Sequence, residues 1–442
     1  MVQVIRRRAV LQAAAGVTAL AASGGTSYAQ SGFDWKRAKG QHIEVSMAKS
    51  PRGDLYQAHL KEFTELTGIT VGFEQIPEQQ QRQKLVIEFT SGHPSFDVVT
   101  IGLHVQKRLI GRAKWCEDLR AYIADPNKTA PEFDIADFSK TAVDYATQPD
   151  GRMDSLPTNI DYWTLFWNKE LFEKKGLKAP QTYAEVLDAA KALNDPKAGI
   201  SGMAVRGLKN ANTLVWTNFL IGWDINAIDP DLAMHTDSAQ AVDAAKLYQS
   251  LCRDAGPPGI AGFNWYECQA SFVLGRSAMW FDSSGFALPL EDPAKSRVVG
   301  KVGYGVMPAG PKTRASGMTA DALGIPVASK NKDAAWLFLQ WAAGKDMMAA
   351  QLSGSFGAPP RKSSFDRVLA SPDTKANKEW LQSMVENAKI ARPGLPEIMS
   401  VTEFRDVFGV ALTNMIGGAD AEAELKKATQ TFKPTLEKTE NG

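Results

Sequence analysis

Two short stretches set a carboxylate among aromatic rings and hydroxyls. In NIDYWTLFWN, Asn159, Asp161 and Tyr162 lead into Trp163, Phe166 and Trp167. In SAMWFDSS, Trp280 and Phe281 lead into Asp282, Ser283 and Ser284. This is a vocabulary for binding sugars. A pyranose packs its apolar C–H face on a ring and offers its hydroxyls to planar acceptors and donors, and a charged partner brings each hydrogen bond to about 1.5–3 kcal/mol. Trp216 and Trp265 add rings in polar surroundings. In GSFGAPPRKS, Phe356 precedes Arg361, whose two preceding prolines stiffen a loop suited to bidentate recognition. His104 and Arg52 complete the expected ligand-binding set. Other roles fit the same residues: Trp163, Phe166 and Trp167 suit buried strand positions, and Asp282 would equally close a strand as an Asx-turn.

Chemistry beyond binding leaves no mark. The five histidines, His42, His59, His93, His104 and His235, form neither an i, i+4 pair nor HExxH. No cysteine pair has metal spacing, and GxSxG, GxGxxG and Walker loops are absent from the sequence. No catalytic residue, metal or cofactor is therefore expected. The class-level rival is an exported glycan-acting enzyme with two carboxylates, although no pair stands out.

The chain has 442 residues, 44% of them hydrophobic, enough for two or three domains. Its net charge of +1 argues against nucleic acid as a partner. Arg6, Arg7 and Arg8 precede an Ala-rich core from Val10 to Ala22 that is too short to span a bilayer. With Ser27-Tyr28-Ala29 it reads as a signal peptide, residues 1–29, cleaved after Ala29; RRAVLQ favours a twin-arginine route over an ordinary secretory one. A periplasmic protein is expected. Of Cys116, Cys252 and Cys268, the pair Cys252–Cys268 is the disulfide to test, and three buried thiols are the alternative.

The elements that must hold these residues are legible in outline. Ile43, Val45 and Met47 alternate as a strand, Pro51-Arg52-Gly53 turns, and a helix starts near Asp54. ITVGFEQI, a helix from Gln80 to Ser91 and the strand FDVVTIG follow. The order β-α-β-α-β predicts a doubly wound α/β unit. A second unit opens with Lys169–Lys175 and a helix capped by Thr182 with Glu185. Chain crossings near Thr158–Tyr162 and Pro308–Ser316 give the geometry of a hinge. One lobe would comprise residues 38–158 and 313–350, the other 159–312 and 351–436.

TLFWNKELFEKKGLKAPQTYAEVLDAAKAL resembles the signature of bacterial extracellular solute-binding proteins of the carbohydrate-uptake type, the class that includes maltose-binding protein. FDVVTIG, VLGRSAMWFDSS and ALGIPVASKNKDAAWLFLQW resemble further stretches of that family, in the same order. The resemblance covers nearly the whole chain after residue 29. It implies a two-lobed periplasmic-binding-protein fold of type II and a monomer that closes on a carbohydrate and passes it to an ABC permease. By the same resemblance Asp161 and Asp282 match polar cleft residues, Leu103-His104 match a ligand loop that carries Asp-Arg elsewhere, and Phe404-Arg405 fall near a family aromatic. Those departures point to a monosaccharide, polyol or small glycoside. The alternative cargo is an anionic sugar or glycerol derivative, with Arg52, Lys49, Arg206, Lys209 and Arg361 as its pocket.

Overall fold

The computed structural model describes residues 32–354, 356–372, 374 and 376–441. The expected signal peptide lies outside the described residues.

Alternation of apolar and polar residues produces β1 (His42–Ala48) and β2 (Thr70–Ile76), which pair in parallel. The continuous apolar run β3 (Val98–Gly102) is buried on both faces, as a central strand requires. Between them lie helices α1 (Pro51–Thr67) and α2 (Glu78–Ser91), and α3 (Leu103–Ala113) follows β3. Pro51-Arg52-Gly53 is not a turn: it is the first turn of α1. Proline at the first helical position needs no N–H partner, and the Ser50 hydroxyl accepts from Gly53 N at 3.2 Å. That cap is worth about 1 kcal/mol.

The remaining strands are β4 (Leu156–Asn168), β5 (Ser201–Ala204), β6 (Ser277–Ser283), β7 (Val302–Tyr304), β8 (Ser316–Gly324) and β9 (Ala391–Pro393). They complete a sheet ordered β2-β1-β3-β8-β4-β6-β5, with β7 on β4 and β9 on β8. β4 serves two halves of it. Leu156 to Tyr162 pair antiparallel with β8, and Trp163 to Trp167 pair with β6. One long strand thus joins the two halves of the sheet. The buried apolar side chains form two clusters, one around Val45, Phe63, Ile101 and Phe338 that also takes in Phe166, Phe272 and Trp280, the other around Trp216, Tyr248, Phe281 and Leu412.

Cys252 and Cys268 are not bonded. All three thiols are free and buried, and burial pushes the Cys252 thiol up to about 12, so no thiolate is at hand to start exchange.

Candidate ligand-binding site

Loops and helix starts from both sides of the paired strands line one cavity of about 120 Å³. From the first lobe come Lys49 to Arg52, then Glu78, Gln81 and Arg82 on α2, and Thr100, Gly102 and His104 at the β3–α3 junction. β4 and β8 supply Asn159, Asp161, Thr319 and Asp321 along its floor. The second lobe adds Arg206, Trp265, Ser283, Gly285 and Phe286, and the loop at Phe356-Gly357 closes one side.

Charged groups here are mostly satisfied by one another. Arg52 donates from Nη2 to Asp321 Oδ2 at 3.0 Å. Arg82 pairs with Glu78 one turn earlier, and its charge holds the Glu78 carboxyl at about 2 against the opposing effect of burial. Arg82 Nη2 also donates to His104 Nε2 at 3.1 Å, which leaves the ring proton on Nδ1, facing the Ala320 carbonyl at 3.5 Å. Burial, then the Arg82 charge, lowers the imidazole to about 4, so His104 is neutral. Asp161 differs. Burial, then the Asp321 carboxylate, raises it to about 6, although Arg52 pulls the other way.

Among the described residues, four cavity-lining groups carry a buried polar atom with no hydrogen-bond partner: Asp161 Oδ1, Arg52 Nε, Arg82 Nη1 and Thr100 Oγ1. They offer two N–H donors, one carboxylate acceptor and one hydroxyl that can do either. A hydroxyl-bearing guest has what each of them lacks.

Asp161, Asn159, Ser283, Trp265, His104, Arg52 and Phe356 therefore meet at one cavity. The other five expected residues do not line it. Asp282 is fully buried, and Arg206 grips it from Nε at 3.1 and 2.9 Å. It orients the cavity arginine and has no free oxygen to present. Trp280 is buried core, stacked on Phe166 with centroids 4.9 Å apart. Trp216 stacks on Phe408 at 5.5 Å and donates to the Ala241 carbonyl at 3.1 Å. Tyr162 turns into the first core, as strand alternation demands for the residue after Asp161. Arg361 is wholly buried and donates to the Ala343, Asp134 and Phe133 carbonyls and to Asp137, so it ties the chain after residue 351 to the first lobe. Of the pair near the family aromatic, Phe404 packs on Phe408 at 4.6 Å, and Arg405 donates from Nε to the Asn210 carbonyl at 3.0 Å.

The rings are arranged differently from a sugar platform. Trp265 stacks on Phe286 with centroids 4.5 Å apart and 14° between planes, and Phe286 lies parallel to Trp280 behind it. These faces cover one another.

Sequence reasoning missed Asp321, Glu78, Arg82, Thr100, Phe286 and the glycines at 285 and 357. Asp321 sits immediately ahead of the stretch ALGIPVASKNKDAAWLFLQW and was not singled out. Glu78 and Arg82 share an i, i+4 spacing that looks like any exposed helix pair.

The chain is 27% identical over 429 residues to an erythritol/L-threitol-binding protein of Mycolicibacterium smegmatis, covering 93% of this chain and 89% of that one. It is 26% identical over 378 residues to a mannitol-binding protein of Pseudomonas aeruginosa, covering 80% and 84%. A solute-binding protein of an ABC transporter from Agrobacterium radiobacter K84, solved in complex with ribitol, superposes with a TM-score of 0.83 at 24% identity over 90% of this chain and 99% of that one; this likeness establishes the two-lobed fold. The family model for bacterial extracellular solute-binding proteins matches residues 48–349. The chain belongs to the bacterial extracellular solute-binding protein family.

Proposed function

We propose that this protein is the substrate-binding component of an ABC importer and captures a small neutral polyol between its lobes for delivery to the membrane permease. The observation that carries this reading is the set of unpartnered, buried polar atoms on residues that line the cavity, Asp161 Oδ1, Arg52 Nε, Arg82 Nη1 and Thr100 Oγ1. Vicinal hydroxyls donate and accept in alternation, and each would complete one of these groups. An open-chain polyol needs no ring platform, and Trp265 already gives one of its faces to Phe286. The erythritol/L-threitol-binding and mannitol-binding relatives belong to the same ligand class.

The cations considered for an anionic cargo are each engaged: Arg52 with Asp321, Arg206 with Asp282, Arg361 with Asp137, Lys49 with Asp54 and Lys209 with Asp406. Their charges are already balanced by these carboxylates, which favours a neutral guest. In this reading the lobes comprise 38–158 with 313–350 and 159–312 with 351–436, the mature protein begins after about Ala29, and it acts as a monomer in the periplasm. No bond of the ligand is made or broken.

Isothermal titration with erythritol, ribitol, mannitol, maltose and sn-glycerol 3-phosphate tests the assignment. Saturable heat with at least one polyol, little changed between low and high salt, is the expected result. Binding only of the phosphate, with affinity falling steeply as salt rises, would overturn it, as would recovery of a chemically altered ligand.

A further inference from the structure

Gln351 lies in the helix Lys345–Ser353, wholly buried, behind the cavity wall. Its Nε2 donates to Asn159 Oδ1 at 3.1 Å and to the Thr158 carbonyl at 3.3 Å. With Oδ1 taken, the Asn159 amide has one way to face: its Nδ2 donates to Asp161 Oδ2 at 2.8 Å. That bond occupies one carboxylate oxygen and leaves the other, Oδ1, buried and unpartnered on a residue that lines the cavity.

Two glycines leave the space this arrangement needs. A Cβ at position 285 would lie 2.2 Å from Asp161 Oδ1, and one at 357 would lie 2.3 Å from Asn159 Oδ1. Gly357 also has φ +119°, a region that side chains rarely adopt. The next residue ties the loop to the hinge strand, because Ile160 N donates to the Ala358 carbonyl at 2.8 Å.

We propose that Gln351 is a positioning residue for ligand binding: by fixing the amide of Asn159 it aims Asp161 Oδ1 at the hydroxyls of the bound polyol. This rests on the reading of Asp161 as a ligand acceptor. The groups that face Asp161 are Asp321 on β8, Arg52 on α1, Ser283 on β6, and Asn159 and Tyr162 beside it on β4. Asp321 and burial disfavour its charged form; Arg52, Ser283 and Asn159 favour it. Gln351 touches none of the ligand space and acts only through Asn159.

The test is Gln351→Met, which keeps volume and removes the donor. Two readouts are taken: the carboxyl titration of Asp161 by carbon-13 NMR in the unliganded protein, and the Kd for ribitol at pH 7.5. The titration midpoint is expected to move upward, because the amide that favours the charged form is no longer held. The Kd is expected to rise about tenfold, the worth of one misdirected charge-assisted hydrogen bond. Gln351→Met combined with Asn159→Ala should be no weaker than Asn159→Ala alone, as two steps of one relay must be. An unmoved midpoint, or losses that add in full, would overturn the proposal. Should the methionine variant not fold, Gln351→Asn keeps the amide but withdraws it by one methylene and is read the same way. If wild-type protein bound no polyol, the functional reading would fail, and the titration in unliganded protein would still decide the relay.

Discussion

Replacing Asp161 by asparagine should move stability and affinity in opposite directions. In the folded protein the carboxyl titrates near 6, against an ordinary 3.8, chiefly because it is buried. Between those two pH values the native state holds a proton that the unfolded chain has released, so stability falls as pH rises through the window. A shift of about two units is worth about 3 kcal/mol at pH 8, and roughly 1–3 kcal/mol once the residual hydration of a half-buried carboxylate is allowed for. The neutral amide of the variant carries no such cost. Asp161→Asn should therefore unfold at higher denaturant than wild type at pH 8, and the difference should vanish below about pH 4. Ribitol affinity should fall about 10- to 100-fold, since a charged acceptor becomes a neutral one that must also turn its oxygen to the cavity. Urea unfolding across pH 4–8, with calorimetric titration at pH 8, reads both quantities. A variant less stable than wild type at pH 8, or one that binds ribitol equally well, would show that Asp161 is neither a strained carboxylate nor a ligand acceptor.

Three further outcomes follow from the same geometry. Gly285→Ala should weaken polyol binding by at least about tenfold with little loss of unliganded stability, because the new methyl drives a short side chain, Asp161, out of place rather than the backbone; titration with thermal unfolding measures both. Arg361→Met should do the reverse: removing a wholly buried guanidinium bonded to three carbonyls and Asp137 should cost about 3–5 kcal/mol of stability, with ribitol affinity unchanged in the folded fraction. A reducing agent should leave the melting temperature unchanged, because Cys116, Cys252 and Cys268 are free thiols; a fall of several degrees would mean that a disulfide forms in the oxidised protein.

The sequence was most readable where periodicity and local rules agree. The alternation of β1 and β2, the apolar run of β3 and the Thr182 cap all reappear as structure. The fold class followed from their order. The site was legible in part, since a carboxylate at a chain crossing is a physical signal and Asp161 is where β4 passes from one half of the sheet to the other. Partnership was the hidden variable. Asp282 looks from sequence as free as Asp161, but Arg206, distant in the chain, claims both of its oxygens. Arg361 looks like a loop arginine until the carbonyls of residues 133, 134 and 343 are brought to it. Arg52 reached the cavity because Pro51 opens a helix rather than a turn, a distinction that the Ser50 cap would have supported. Ring exposure was unreadable for the same reason: whether a tryptophan offers its face to a ligand depends on which distant ring already covers it, as Phe286 covers Trp265.

In the proposed complex a polyol lies between the lobes on the unpartnered atoms of β4 and the helix starts. A crystal structure of the protein grown with the tightest-binding polyol tests it most directly. Ligand hydroxyls are expected within hydrogen-bonding distance of Asp161 Oδ1 and Arg52 Nε, with both lobes in contact. Ligand density elsewhere, or in the cleft with those two atoms still unpartnered, would contradict it.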